Sequence, residues 1–325
     1  MAKYTIRQYE KKDYSAWNTF ISEAKNATFL FHRDFMEYHQ DRFEDYSLMV
    51  FDADKLVAVL PANRVGDIVH SHQGLTYGGL VLKSRSKLNN VILIFKSVLE
   101  FLNLNNIEKL NIKMIPSFYC KSFSEELDYC LFILKANLYR RESLSVLNLK
   151  DSNFVSKTRR ESINRGIKNG LKIVEEYNFE LFWNQILIPN LQKKHNAKPV
   201  HTVEEITQLK NKFPNHIRHF NVYYQNEIVA GTTIFITDSV AHPQYVSGNE
   251  KKNELGSLDF LYNYLITDIF KDKSYFDFGP SHEDNGKKIN KGILFWKESF
   301  GAKTIIQSFY EVTTSRYLIL DDILI

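Results

Sequence analysis

Apolar positions along this chain fall into two rhythms. The segments SKLNNVILIFKSVLEFLNL (86–104) and SLDFLYNYLITDIF (257–270) space them three and four apart, which predicts one buried helical face in each. Strand-like runs follow both, KLNIKMI (109–115) and SYFDFG (274–279). Ahead of each helix lies a meander. VFDADKLVA (50–58) and VYYQNEIVA (222–230) both read as strand, tight turn (Ala53-Asp54 or Gln225-Asn226), then a second strand opening on an apolar-Val-Ala step. Each runs on to another turn, near Gly66-Asp67 or Thr237-Asp238, and then to IVHSHQ (68–73) or SVAHPQ (239–244). The echo recurs after about 172 residues, half the chain.

The pattern predicts an α/β protein of α+β mixed-sheet type, with two like units meeting near residue 150, so domains 1–150 and 151–325. A length of 325 residues also suits two cores better than one. One predicted helix carries an anomaly. In INKGILFWKESFGA (289–302) the residues Ile289, Ile293, Leu294, Trp296 and Phe300 trace an apolar arc, and Lys297 projects into it. Either its stem covers apolar surface while the ammonium reaches water, or this face borders a pocket where the charge meets an anion.

Composition narrows the class. With 44% hydrophobic and 25% charged residues the chain reads as globular and soluble, and 14% aromatics predict cores built on Phe and Tyr. The opening MAKYTIRQYEKKDY lacks the apolar core of a signal peptide, and no apolar run reaches the ~18 residues a membrane span needs. Cys120 and Cys130 form neither a disulfide framework nor a metal pattern, so a reducing, cytoplasmic location without a metal is expected. A net charge of +4 is too small to imply nucleic acid. Its placement matters more: residues 155–172 hold Lys157, Arg159, Arg160, Arg165, Lys168 and Lys172 against Glu161 alone. That is a solvated helix face or a phosphate-binding surface, because guanidinium forks match phosphate oxygens.

Candidate chemistry follows from three stretches. In HPQYVSGNEKKNELGSLDFLYNYLI (242–266) a strand ends, a loop with Lys251 and Lys252 follows, and Gly256-Ser257 opens a helix. Free N–H groups at a helix start suit phosphate, although Ser is also an ordinary N-cap. In HSHQGLTYGGLVLKS (70–84), His72, Gln73 and Tyr77 offer hydrogen bonds to a polyhydroxylated ligand, or a plain turn. His201 precedes Thr202, a fitting N-cap, and a histidine near neutral pKa can take a proton from an amine. The spacing of His195, His201, His216 and His219 fits no zinc pattern, and neither a Walker loop nor G-x-S-x-G nor G-x-G-x-x-G occurs.

Taken in order, PSFY and EELDY (116–129), RRESINRGIKNGL (159–171), KPVH (198–201), HPQYVSGNEKKNELGSLDFL (242–261) and YFDFGPSHE…NKGILFWKESFGAK (275–303) resemble the tandem GNAT acyltransferases, the superfamily that includes FemAB-type aminoacyl ligases. The resemblance covers most of the chain. It implies two GNAT-like domains in tandem with a ligand cleft between them, the second taking acyl-CoA. Within the superfamily the chain looks most like proteins of bacterial surface-polysaccharide loci, which N-acylate a nucleotide-linked amino sugar such as a dTDP-3-amino-3,6-dideoxyhexose for O-antigen or lipopolysaccharide.

By the same resemblance, the strand His242–Gly248 splays from Tyr275–Gly279 to accept the pantetheine arm, through Gln244, Tyr245, Val246 and Ser247. Lys251, Lys252, Leu255, Gly256 and Ser257 hold the CoA pyrophosphate, although KNELGS is looser than the family's Q/R-x-x-G-x-G/A. Phe295-Trp296-Lys297 replaces the usual GNAT tyrosine and resembles the F-K step of FemAB ligases, which implies that Lys297 faces the transfer site. His201 is the first choice as base, with His72 and Glu298 behind it. Arg159, Arg160 and Arg165 would grip the nucleotide diphosphate, and His72, Tyr77, Tyr119 and Trp296 would shape the sugar pocket. The alternatives are a FemAB-type transferase moving an amino acid from tRNA to a peptidoglycan precursor, and a non-catalytic nucleotide-sugar binding protein. The CoA reading expects no nucleic-acid partner and no membrane insertion.

Overall fold

The structure, a computed structural model, describes residues 4–151 and 155–323, with the backbone alone at His195. It is a mixed α/β fold that divides into two compact units, 1–142 with 306–325, and 143–305. The division differs from a cut near 150 in two respects: the boundary falls between 142 and 143, and residues 306–325 rejoin the first unit. The final strand Lys303–Thr313 pairs through Phe309–Thr313 with Lys109–Lys113, which returns the C-terminal segment to the first unit.

In the first unit, one sheet runs Thr5–Gln8, Leu48–Asp52, Lys55–Leu60, Val81–Leu82, all antiparallel. Another runs from Lys303–Thr313 through Lys109–Lys113, Ile68–His70 and Asn63–Val65 to Glu44–Asp45, with a single parallel pairing between Ile68–His70 and Lys109–Lys113. The predicted helix is present as Leu88–Leu104, and its apolar face (Val91, Ile92, Phe95, Val98, Leu99, Leu102) packs into a core with Leu48, Val50, Leu110 and Ile112. Each such side chain removed from water is worth about 2 kcal/mol.

In the second unit the strand order is Lys172–Glu176, Ile217–Tyr224, Glu227–Ile236, Val240–Gly248, Tyr275–Pro280, then the strand ending at Asn148. Among the described strand pairings of this unit, Val240–Gly248 with Tyr275–Pro280 is the one parallel pair. Helix Ser257–Tyr264, continued by a wider turn over Leu265–Ile269, lays Leu261, Tyr262 and Leu265 onto Phe220, Phe276 and Phe278. The basic stretch forms helix Lys157–Lys168, capped by Ser156 Oγ, which accepts from the Arg159 amide at 3.3 Å. Thr202 caps Val203–Lys212 in a capping box with Glu205, as its sequence position suggested.

Candidate functional site

The feature that organises the second unit is a fork. Val240–Gly248 and Tyr275–Pro280 pair only at Val240–Tyr275 and Ala241–Phe276, and then the ladder ends. Two irregularities force the parting. On the outer side, register passes from Thr233–Tyr245 to Ile234–Pro243, which makes Gln244 the extra residue of a β-bulge and bends the strand. On the inner side, Tyr275–Pro280 stays with the strand Asn137–Asn148, but its register shifts between Asp277 and Pro280, where Gly279 adopts a φ of +72°. Past Ala241, the edge of Val240–Gly248 facing the fork has no strand partner among the described residues.

Three side chains meet at the crotch. His242 Nδ1 lies 3.0 Å from the Asp277 carbonyl oxygen and 3.2 Å from its Oδ2. Lys297 Nζ donates to the carbonyl oxygens of Gly279 (2.9 Å) and Pro280 (2.6 Å). Only 5% of Lys297 is exposed, and burial pushes its ammonium down to about 8, with Asp277 pulling the other way. The anomalous lysine is therefore not snorkelling. The helix runs Lys291–Glu298 with Asn290 as its cap, so Ile289 sits outside it in a two-residue strand against His282, and Ile289 and Ile293 are exposed. The face that goes inside carries Lys297, with Phe300 just beyond the helix.

Sequence reasoning did not single out the His242 and Asp277 side chains. They stand 35 residues apart, and the pairing exists only because the two strands touch once before diverging.

The other expected residues are placed as follows. Val246 is exposed and Ser247 Oγ accepts from Asn190 Nδ2 at 2.8 Å, beside the fork edge. Lys251 is exposed and Lys252 half-buried. Leu255, Gly256 and Ser257, expected to present a helix start to phosphate, are buried instead. Gly256, at φ +69°, lies so close to helix Lys157–Lys168 that a Cβ would overlap the Ser162 carbonyl oxygen, and Ser257 is fully buried. That helix roofs the helix start and removes Ser257 from a pyrophosphate's reach.

Arg159 is likewise committed: its Nη1 binds Asp259 Oδ2 at 2.6 Å and its Nε the Ser299 hydroxyl at 3.2 Å. Trp296 Nε1 donates to the other Asp259 oxygen at 2.6 Å, so both expected ligand contacts serve a buried carboxylate. Arg160 is exposed, while Arg165 binds Ser162 Oγ and, loosely, the Asn253 carbonyl. His201, 3% exposed, is held inside an aromatic cluster: its Nδ1 is 2.5 Å from the Tyr245 hydroxyl, and Trp183 Nε1 donates to its carbonyl. It has no surface from which to meet a sugar amine, whereas Glu298 is exposed.

In the first unit Tyr77 and Tyr119 are core residues, their ring centroids 4.7 Å apart and the planes tilted by 46°, with the Tyr77 hydroxyl donating to Thr28. His72 lines a separate cavity and does not join them in a sugar pocket. No group of three His, Cys, Asp or Glu side chains is disposed to hold a metal among the described residues, and no described helix is long and apolar enough to cross a membrane.

A two-unit α/β fold in which parallel neighbours part beside a bulge is that of the tandem GNAT proteins. The chain is similar in structure to FemX over 98% of its own length and 99% of that chain, at 8% identity and a TM-score of 0.66. It is similar to the C-terminal domain of a putative lysylphosphatidylglycerol synthetase from Agrobacterium fabrum (12% identity, 96% and 95% covered, TM-score 0.60). A tandem GNAT protein from the clavulanic acid biosynthesis pathway also aligns (10%, 96% and 98%, TM-score 0.50). No family model and no curated protein matches the sequence. At these identities the likeness establishes the fold.

Proposed function

We propose that the protein is an N-acyltransferase that takes an acyl group from a CoA thioester in the fork of the second unit and delivers it to the amine of a nucleotide-linked amino sugar. The open edge of Val240–Gly248 beside buried Lys297 carries this reading. An unpaired strand edge offers N–H and C=O groups to an extended, amide-bearing chain, which is what the pantetheine arm supplies. Exposed Val246 and Lys251, with Lys252, extend the track toward an anionic end. Arg160 and Arg165 supply the guanidinium groups for the sugar's diphosphate.

The chemistry falls to His242 and Lys297. With Nδ1 held by Asp277, His242 keeps Nε2 as the nitrogen that takes a proton, the arrangement of an oriented general base. The amine nitrogen bonds to the thioester carbonyl carbon, its proton passes to His242, and the C–S bond breaks to release thiolate. Lys297 spends two N–H groups on Gly279 and Pro280, and its charge stands beside the carbonyl oxygen or sulfur where negative charge grows. His201 becomes a positioning residue acting through the Tyr245 hydroxyl.

A second reading has one observation in its favour: Lys157, Arg160, Arg165 and Lys168 leave a strongly basic helix exposed to solvent, a surface that suits charged tRNA as donor. Calorimetric titration with acetyl-CoA and with aminoacyl-tRNA separates the two. The proposal expects saturable binding of acetyl-CoA and, with a panel of dTDP- and UDP-amino sugars, thiol release matched one to one by N-acyl sugar. Binding of tRNA alone would transfer the reading to the FemAB type.

A further inference from the structure

The helix Lys291–Glu298 is held in place in an unusual way. A short surface helix normally takes its rotation from the apolar residues it buries, yet the one buried residue among these eight is Lys297. Ile293 and Phe295 are exposed, and Trp296 is half-buried, packed edge-on against Tyr262, Phe278 and Phe300. Burying an ammonium is unfavourable, and a lysine stem is long enough for a small roll of the helix to return the charge to water. A restraint beyond apolar packing has to keep this face inward.

A buried polar joint at the C-terminal end of the helix supplies it. Asp259, 6% exposed, stands in the first turn of helix Ser257–Tyr264. One carboxylate oxygen accepts from Trp296 Nε1 and the other from Arg159 Nη1, both at 2.6 Å. Arg159 reaches on through Nε to Ser299 Oγ (3.2 Å), and that hydroxyl donates to the Trp296 carbonyl oxygen (2.8 Å). The Ser299 carbonyl accepts from the amide of Ser156, the cap of the basic helix, at 3.0 Å. Three helices therefore meet at one carboxylate, and both the ring and the backbone of Trp296 are tied down one residue before Lys297. At the other end, Asn290 Oδ1 caps the helix by accepting from the Ile293 amide. Charge-assisted hydrogen bonds in a buried site are short and directional, which suits them to fix an orientation that packing leaves loose.

We infer that Asp259 is a positioning residue for the transfer step: through Trp296 it sets the rotation of helix Lys291–Glu298 and so holds the Lys297 ammonium at the crotch of the fork. The inference rests on the acyl-transfer reading for its purpose, but the placement of Lys297 can be measured without any donor. It also gives Arg159 a part in the site, because Arg159 neutralises the carboxylate that orients the lysine helix.

Competitive labelling of the full chain with trace acetic anhydride, read by peptide mass spectrometry from about pH 6 to 11, reports the titration and access of Lys297. The wild type should show a midpoint at about 8 and slow labelling. Trp296→Phe keeps an aromatic ring and the Arg159–Asp259 pair but removes the N–H, and Asp259→Asn keeps the shape but removes the charge. In both, Lys297 should titrate about one pH unit higher, toward an exposed lysine, and label about tenfold faster. In acetyl transfer both should lower kcat about tenfold with the affinity for acetyl-CoA unchanged. Thr202→Ala, which loses a helix cap elsewhere in the unit, should lower stability and leave the Lys297 midpoint where it was. Folded Trp296 and Asp259 variants whose Lys297 midpoint and labelling rate match the wild type would overturn the inference, as would an equal shift in Thr202→Ala. If the wild type neither binds nor turns over acetyl-CoA, the acyl-transfer reading falls, and the labelling still decides whether Asp259 places Lys297. Because Trp296→Phe leaves the buried ion pair in place, a failure of Asp259→Asn to fold leaves the test intact.

Discussion

The two units contain the same hairpin and put the strand after it to different uses. In both, a tight turn joins the strands and register slips at the same aligned place. Val50–Ala58 is followed by Phe51–Leu56, and Val222–Ala230 by Tyr223–Ile228, so Val57 and Val229 are the extra residues. After the next turn, each unit sends out a strand that is antiparallel to one neighbour and parallel to another. There they diverge.

In the first unit the strand stops at His70 and its own loop fills the gap. The Ser71 amide donates to the Asn111 carbonyl (2.8 Å), the Lys113 amide to Ser71 Oγ (2.9 Å), and the Gly78 amide to the Lys113 carbonyl (2.7 Å). In the second unit the strand continues to Gly248 while its partner turns away. One topology thus yields a plugged fork and an open one, and the proposed function puts a ligand that brings its own hydrogen-bonding backbone in the open one.

Variants can break this contrast. The largest effect is expected at His242: replacement by Ala should lower kcat by about 10³-fold with little change in CoA affinity. Lys297→Met should lower kcat by about 10²-fold. The wild-type rate should fall as pH rises through about 8, where the buried ammonium loses its proton. A rate insensitive to that change would reduce Lys297 to a packing residue. Arg159→Ala should destabilise by about 3 kcal/mol in urea unfolding, because buried Asp259 loses its cation. Gly78→Ala should destabilise the plugged fork by about 2 kcal/mol, since a Cβ would overlap the Ser71 carbonyl oxygen, while CoA affinity stays unchanged.

A last effect concerns acid. His39 and His72 have folded-state values below that of a free histidine, so the unfolded chain binds more protons below pH 6.5. Stability is therefore full at neutral pH and falls as pH drops from 6.5 toward 3, by about 1 kcal/mol for each histidine, about 2 kcal/mol together, over the first pH unit. His39→Phe should roughly halve that slope in a pH series of thermal melts, His72 supplying the remainder.

What could be read from the sequence was local. Alternation and turn residues exposed both hairpins, helical spacing placed Leu88–Leu104 and Ser257–Tyr264, and Thr202 announced its N-cap. The site was read less well because it is made by departures from regularity. The fork depends on a bulge at Gln244 and a positive φ at Gly279, neither of which hydrophobic pattern encodes. A helix start at Gly256-Ser257 looks the same in sequence whether it meets solvent or, as here, the Ser162 backbone. Arg159 belonged to a basic run in the sequence, but in the fold it neutralises Asp259, a hundred residues away. The apolar arc of 289–302 misled because Asn290 caps a helix that begins at Lys291, which leaves Ile289 outside it, and the face turned inward carries Lys297 while Ile293 is exposed.

On the proposed function, the fork of the second unit is the seat of the thioester donor. A crystal structure with acetyl-CoA tests it most directly. The account predicts an extended pantetheine chain hydrogen-bonded along Val240–Gly248, with its sulfur near Lys297 and His242. Donor density against residues 71–79 of the first unit, or an empty fork at saturating acetyl-CoA, would contradict it.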